Sequence, residues 1–339
     1  MNITHHIDAV ITWVDGEDPT HINKRTASRF VQLSQDIGSN AAATRFNQRD
    51  EISVCVRSIL QYAPWIRYIF IVTDSQIPLI YHQLQDTKYA NKLKIIDHRL
   101  IFRDYLMHLP TFNSLAIESM LWRIPGLSEN FIYFNDDCLL LRSVNPEDFF
   151  KDDNIIIRGS WKTQAHRTWS HWFKKSWSYL LNQPCGAPSK LNDHRQIQER
   201  SASLLGYRLK FFHLPHIPFA LKKSLFNRYF TANPQVLEDN ISWPFRTPAL
   251  QTWSLSVIIH LAIQKKIVVY DRKLQAIMVH GEYHDSRKFL SRLAGACKQK
   301  HAAFLCIQSL DQASLKLQKQ CFAWLDQQIM SAKALIQRG

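Results

Sequence analysis

The sequence predicts an α/β protein built on a largely parallel sheet with helices on both faces. Three observations carry that expectation. Short apolar runs alternate with stretches of helical spacing from residue 7 to residue 137. Each apolar run ends in an Asp or reaches one within two residues. The composition, 46% hydrophobic and 21% charged, supports a buried core and disfavours disorder. At 339 residues, one large domain with an insertion or two domains is expected.

The elements follow in order. Ile7–Trp13 (IDAVITW) reads as a buried strand ending at Val14-Asp15-Gly16, and Asp18-Pro19-Thr20 as a helix start. Arg49–Tyr62 carries apolar residues at 52, 56, 59 and 60, a helical spacing. Tyr68–Thr73 and Lys94–Ile96 are the next strands, Ser114–Trp122 is a helix stopped before Gly126, and Phe131–Phe134 is a fourth strand. Residues 158–210 read as a helical insertion, in which Trp169, Trp172, Phe173, Trp177 and Leu180 share one helical face. Ser189 caps a second helix there, which ends near Gly206. Phe211–Pro218 is extended. Helices near 219–231 and 249–265, then strands at 267–270 and 274–280, complete a catalytic unit over 1–281. Residues 282–339 form a C-terminal segment expected to hold two helices.

Charge and cysteine usage narrow the function. Lys and Arg total 42 against 28 Asp and Glu, a net charge of +14. Residues 158–230 hold 13 basic and 2 acidic side chains, whereas residues 1–157 are net acidic. The acidic part suits a cation; the basic part suits an anion such as a phosphorylated polymer, nucleic acid or a membrane surface. Six cysteines without a CxxC pair disfavour a disulfide scaffold or a zinc ribbon and fit a reducing cytosol. No apolar run approaches the roughly 20 residues that span a bilayer, and MNITHHIDAV lacks a secretory pattern. Neither GxGxxG nor GxxxxGK[ST] occurs, which disfavours dinucleotide and P-loop chemistry.

Ligands of open α/β sheets bind at the carboxyl ends of the strands. Asn135-Asp136-Asp137 delivers two carboxylates there. Both can ligate Mg²⁺ or Mn²⁺ only if the strand has ended; the alternative is a turn in which Asp is a local hydrogen-bonder. Trp13, Asp15 and Gly16 suit a nucleotide, with Trp13 flanking a base and Gly16 admitting a phosphate. In His213-Leu214-Pro215-His216, Pro215 precludes a regular helix, so one His acting on an acceptor hydroxyl is favoured over zinc binding. Arg246, after Trp243-Pro244-Phe245, offers a rigid guanidinium for phosphate. In the basic stretch, aromatic rings such as Trp169 and cations such as Lys174 suit sugars and phosphates; an amphipathic helix with a buried Trp stripe has the same pattern.

Together these pieces resemble the Stealth family of hexose-1-phosphate transferases, which includes bacterial capsular polysaccharide phosphotransferases and the animal enzyme that places N-acetylglucosamine-1-phosphate on lysosomal glycoproteins. IDAVITWVDGEDP (7–19) resembles the family's first conserved region. The run from Arg45 through Asp137 resembles the second, and HLPHIPFALKKSLF (213–226) with PFRTP (244–248) resembles the third. Two departures stand out. KLQAIMVHGE (273–282) puts His280 and Gly281 where the fourth region typically has an Asn-Asp pair, and Asp50 stands where Asn is common.

The resemblance implies a Rossmann-like core similar to the glycosyltransferase-A fold. It implies transfer of a sugar-1-phosphate from a UDP-sugar such as UDP-GlcNAc to a hydroxyl of a growing capsular polysaccharide. A phosphodiester forms and UMP leaves. Mg²⁺ or Mn²⁺ on Asp136 and Asp137 would bridge the diphosphate, His216 would accept the acceptor's proton, and Arg246 would bind phosphate. The expected substrate-binding set is Trp13, Asp15, Gly16, Arg49, Asp50, Asn113, Asn135, Trp169 and Lys174. Other capsule-assembly proteins are candidate partners, and the expected place is the cytoplasm or the inner face of the cell membrane. An ordinary glycosyltransferase that releases UDP is the competing expectation. A nucleic-acid binder would leave the strand-end carboxylates without a role.

Overall fold

The computed structural model describes residues 6–28, 49–164, 190–248, 250–281 and 286–331. Trp169, Lys174, Ser189 and the proposed helical face of the insertion lie outside them.

A five-stranded sheet organises the fold. Its strands are β1 (Ile7–Thr12), β2 (Ile69–Thr73), β3 (Leu93–Asp97), β4 (Asn130–Asn135) and β10 (Phe219–Lys222), in the order β10-β4-β1-β2-β3. The first four are parallel and β10 runs antiparallel to β4. Buried residues fill β1, β2 and β4 almost without a break, as expected for strands covered on both faces. The mostly parallel, Rossmann-like α/β class therefore stands. From β1 the chain moves out through β2 and β3, then returns to place β4 on the other flank of β1. The order reverses between β1 and β4, so the crevice for a ligand opens where these strands end. Their last residues, Thr12 and Asn135, are register partners.

Local chemistry sets the helix starts. In α1 (Pro19–Ala27), the Asp18 carboxylate accepts from the Thr20 amide at 2.7 Å, and Pro19 occupies the first turn. α2 (Glu51–Tyr62) begins after Asp50, whose φ of 67° is a left-handed conformation uncommon for a residue with a Cβ. In α3 (Ser114–Met120), Asn113 Oδ1 accepts from the Leu115 amide.

Three expectations are corrected. The helix placed over 219–231 begins as a strand: Phe219–Lys222 is buried at all four positions and pairs with β4, and helix α5 (Lys223–Ala232) follows α4 (Lys190–Ser203) only after it. The helix placed over 249–265 is shorter, since α7 (Ser254–Gln264) comes after α6 (Pro234–Ile241). The C-terminal segment is not purely helical. Between α8 (Ser286–Lys298) and α9 (Leu315–Gln328) runs β13 (Ala302–Gln308), buried at six of its seven positions. β13 lies between β12 (Gln275–His280) and β5 (Cys138–Leu140), parallel to the first and antiparallel to the second. The C-terminal strand thus packs directly behind the Asp136-Asp137 turn.

In the rest of the insertion, β8 (Ser160–Thr163) pairs with β9 (Lys210–His213). Strands β6 (Phe150–Lys151), β7 (Asn154–Ile157) and β11 (Val268–Tyr270) make a small sheet.

Candidate active site

The site is built at the turn that ends β4. Asp136 and Asp137 form that turn, so the alternation that would send their side chains to opposite faces no longer applies. The Ile307 amide of β13 donates to the Asp137 carbonyl at 3.1 Å and pins the turn from behind.

His216 reaches this turn from the loop between β9 and β10. Its Nε2 lies 3.0 Å from Asp137 Oδ1, and each side chain keeps 23% of its surface exposed. The pairing moves both groups. Burial works against the charged form of each, but attraction wins: His216 is held well above the usual histidine value and Asp137 below the usual carboxylate value. Asn135 Nδ2 sits 3.3 Å from both ring nitrogens of His216. Tyr133 fixes that amide by donating to Asn135 Oδ1 at 2.9 Å while accepting from Thr12 Oγ1, also at 2.9 Å. The last residues of β1 and β4 therefore hold the histidine through one buried hydroxyl.

Asp136 faces the acidic side. Burial, then the charges of Asp137 and Glu51, push its carboxyl well above the usual range. Glu51, the first residue of α2, is raised by burial and by Asp137 and Asp311. Carboxylate oxygens are hard donors of the kind that hold Mg²⁺ or Mn²⁺. Asp137 sits in a different donor set. The thiols of Cys138 and Cys306 each lie 3.5 Å from its carboxylate oxygens.

Arg246 is placed by α3, donating through Nε to Ser114 Oγ at 3.0 Å. Glu118 of the same helix is only 4% exposed and accepts from the Trp253 indole. Burial raises its carboxyl, against the pull of the Arg246 and His216 cations, so both approach one buried acid. The β1 loop forms the adjoining wall. The Asp15 amide donates to Gln76 Oε1 at 2.9 Å, and Gln76 Nε2 donates back to the Asp15 carbonyl and to Asp18 Oδ2. Arg49 Nη1 donates to Glu17 at 2.6 Å, which brings the start of α2 against the same loop.

Asn135, Asp136, Asp137 and His216 therefore converge. Arg246 flanks them, and Asp15, Gly16, Arg49 and Asp50 line the neighbouring loops. Two expected substrate contacts are placed otherwise. Trp13 is packed in the core at 6% exposure, so its ring has no open face for a base. Asn113 is fully buried, and besides capping α3 it donates to the Trp243 and Phe245 carbonyls at 2.9 and 3.2 Å. It holds the segment that carries Arg246. Glu118, Tyr133, Gln76, Cys138 and Cys306 escaped sequence reasoning. Only Cys138, adjacent to the Asp pair, gave any signal.

The family model described as Stealth protein CR2, conserved region 2, matches residues 45–157, and that of CR1, conserved region 1, matches residues 5–29. An exopolysaccharide phosphotransferase of Streptomyces coelicolor is 35% identical over 242 residues, 71% of this chain and 37% of that protein. A capsular polysaccharide phosphotransferase of Haemophilus influenzae is 34% identical over 253 residues, 73% of this chain and 62% of that protein. One of Actinobacillus suis is 41% identical over 155 residues, 44% of this chain and 39% of that protein. The chain thus spans less than two thirds of the length of these relatives. A solved galactosyltransferase, LgtC with donor and acceptor sugar analogues, aligns over 96% of both chains at 10% identity with a TM-score of 0.47. Among the described residues, no helix is long and apolar enough to cross a membrane.

Proposed function

The chain belongs to the Stealth family, carrying its conserved regions 1 and 2, and we propose that it transfers a sugar-1-phosphate from a UDP-sugar to a hydroxyl of a capsular or exopolysaccharide chain. The acceptor oxygen attacks the phosphorus that bears the sugar. The bond from that phosphorus to the bridging oxygen breaks, UMP leaves, and the anomeric bond is untouched. The donor class follows the family resemblance; the polysaccharide acceptor follows the names of the relatives.

The observation that carries the reading is the pair His216 Nε2 and Asp137 Oδ1, 3.0 Å apart at the switch point of the sheet. A carboxylate paired to one imidazole nitrogen orients the ring and strengthens the base. In the neutral ring Nε2–H is directed at Asp137, and Nδ1, which faces the Asn135 amide at 3.3 Å, is the nitrogen that takes the acceptor's proton once the acceptor hydroxyl displaces that amide. Arg246 is placed to neutralise charge on the phosphate, and phosphoryl transfer depends more on such positioning than on covalent help. Asp136 would hold Mg²⁺ or Mn²⁺, with Glu51 in place of the expected Asp137, whose carboxylate is paired with His216; when bound, the cation supplies charge neutralisation at the diphosphate. Asp15, Gly16 and Arg49 would line the donor side. Trp169 and Lys174 remain candidates for the polymer, as does the whole basic stretch. Other capsule-assembly proteins would be partners, and association with the inner face of the membrane would suit a polymer-extending enzyme.

The test is nucleotide release. The protein is incubated with Mg²⁺, a panel of UDP-sugars and capsule oligosaccharides, and the nucleotides are separated by chromatography. Acceptor-dependent UMP is expected; UDP as the released nucleotide overturns the reading in favour of ordinary glycosyl transfer.

A further inference from the structure

Four metal-ligating side chains meet at one point behind the Asp136-Asp137 turn. One ligand atom each from Asp137, Cys138, His216 and Cys306 all lie within 4.8 Å of one another. Two of these residues are side by side in sequence, whereas His216 and Cys306 arrive from distant segments. Cys138 of β5 and Cys306 of β13 are direct register partners on antiparallel strands, so their side chains leave the sheet on the same face. Both are 1% exposed and neither is in a disulfide. The Asp137 carboxylate lies between them, 3.5 Å from each sulfur, with His216 3.0 Å away on its open side.

We infer that Asp137, Cys138, His216 and Cys306 form a four-coordinate site for a thiophilic divalent cation, Zn²⁺ in the first instance. Tetrahedral zinc bonds of about 2.0 to 2.3 Å imply ligand–ligand separations on the order of 3.5 Å. From a spread of at most 4.8 Å, the widest separation contracts by about 1.3 Å to reach that geometry, while the 3.0 Å Asp137–His216 pair opens slightly. Sulfur and imidazole donors select Zn²⁺ over Mg²⁺, which demands oxygen ligands in an octahedron. The site therefore differs from the oxygen-rich side at Asp136 and Glu51. Binding releases the protons of the two thiols and of His216 Nε2. It also replaces the Asp137–His216 hydrogen bond by bonds to the metal, so a loaded protein holds its candidate base at a ligand position. The inference goes beyond the proposed transfer reaction and does not need it.

The test uses Co²⁺ as a spectroscopic probe. The full chain is reduced, stripped with a chelator and titrated with Co²⁺ in excess Mg²⁺. One equivalent is expected to give a near-ultraviolet thiolate-to-cobalt charge-transfer band, with the intense visible bands of tetrahedral cobalt, all abolished by Zn²⁺. Cys138→Ser and Cys306→Ser are each expected to lose a large part of the charge-transfer intensity, since one of two thiolates is removed, and Cys297→Ser, at an exposed thiol, to keep all of it. His216→Ala leaves both buried thiols in place, and is expected to weaken Co²⁺ binding by at least about 100-fold, more than loss of an outer-shell partner costs. It carries the test should either Ser variant fail to fold by circular dichroism. Absence of a charge-transfer band in the wild type, or its persistence at full affinity in His216→Ala, overturns the inference. Because the readout is optical, its failure is distinguishable from a failure of the transfer assay.

Discussion

At the scale of single residues, the account rests on His216 and the two aspartates it faces. His216→Ala removes the candidate base, and Asp136→Asn removes an oxygen ligand and its charge. Each is expected to cut transfer by at least about 100-fold, the ordinary contribution of such groups. Both variants should remain folded by circular dichroism: Asp136 lies in a turn, and His216→Ala should be only somewhat less stable because Asp137 loses its partner. Asp136, Asp137 and His216 were legible in the sequence because each sits in a short run with its own signature: an apolar strand ending in acids, and a His-rich loop broken by Pro215. Glu118 and Cys306 were not. Their roles depend on which distant segment packs against them, and neither has a local pattern that separates it from an ordinary core residue. Trp13 misled for a related reason. A Trp after a strand suits base stacking and core packing equally, and only the tertiary fold decides.

Among the elements, the start of β1 shows what ties the sheet together. Asp8 is fully buried and accepts from Arg67 Nε and Nη2 at 2.9 and 2.6 Å and from the Tyr68 and Ser128 amides. One carboxylate thus joins β1 to the entries of β2 and β4. Arg67→Ala leaves that charge with backbone partners only and is expected to cost about 3 to 5 kcal/mol. Denaturant unfolding reads the loss. At the other end of the chain, Gly281 follows β12 and donates to the Gln308 carbonyl at 2.8 Å. A Cβ there would meet the Ser309 carbonyl oxygen at 2.1 Å. Gly281→Ala is therefore expected to cost about 1 to 3 kcal/mol as an overpacking change, seen as a lower urea midpoint. Element by element, the sequence was clearest for the parallel strands, whose runs are mostly apolar and broken within only by Asp8 in β1 and Lys94 in β3. It was least clear for β10 and β13. A four-residue strand of three apolar residues and a lysine that runs straight into a helix, as Phe219–Lys222 does, has too little length to show a period of two. Ala302–Gln308 is likewise buried on both faces and lacks the alternation that marks a half-exposed strand.

For the whole molecule, buried neutral histidine sets an acid limit. His260 is fully buried in α7; its Nδ1–H donates to the Ser256 carbonyl at 2.7 Å and its Nε2 accepts from the Phe212 amide at 2.9 Å. Burial pushes it down to about 4. A histidine whose folded value lies below the unfolded value of about 6.5 supports the fold fully above that pH, and its support is lost as pH falls toward about 4. Lowering the pH from 7 to 4.5 is expected to remove about 2 to 3 kcal/mol through this group. His260→Phe cannot titrate, so its stability should fall by that much less over the same range; an equal fall in both proteins contradicts the assignment.

A label on phosphorus reads which bond breaks. A UDP-sugar carrying radioactive phosphorus only at the β position is incubated with the protein, Mg²⁺ and a capsule oligosaccharide acceptor. The products are then separated by size and charge. Sugar-1-phosphate transfer predicts that the label moves into the oligosaccharide as a phosphodiester, while UMP leaves unlabelled. Label retained in released UDP, with unlabelled sugar on the acceptor, would contradict the account, because the anomeric bond would then be the one cleaved.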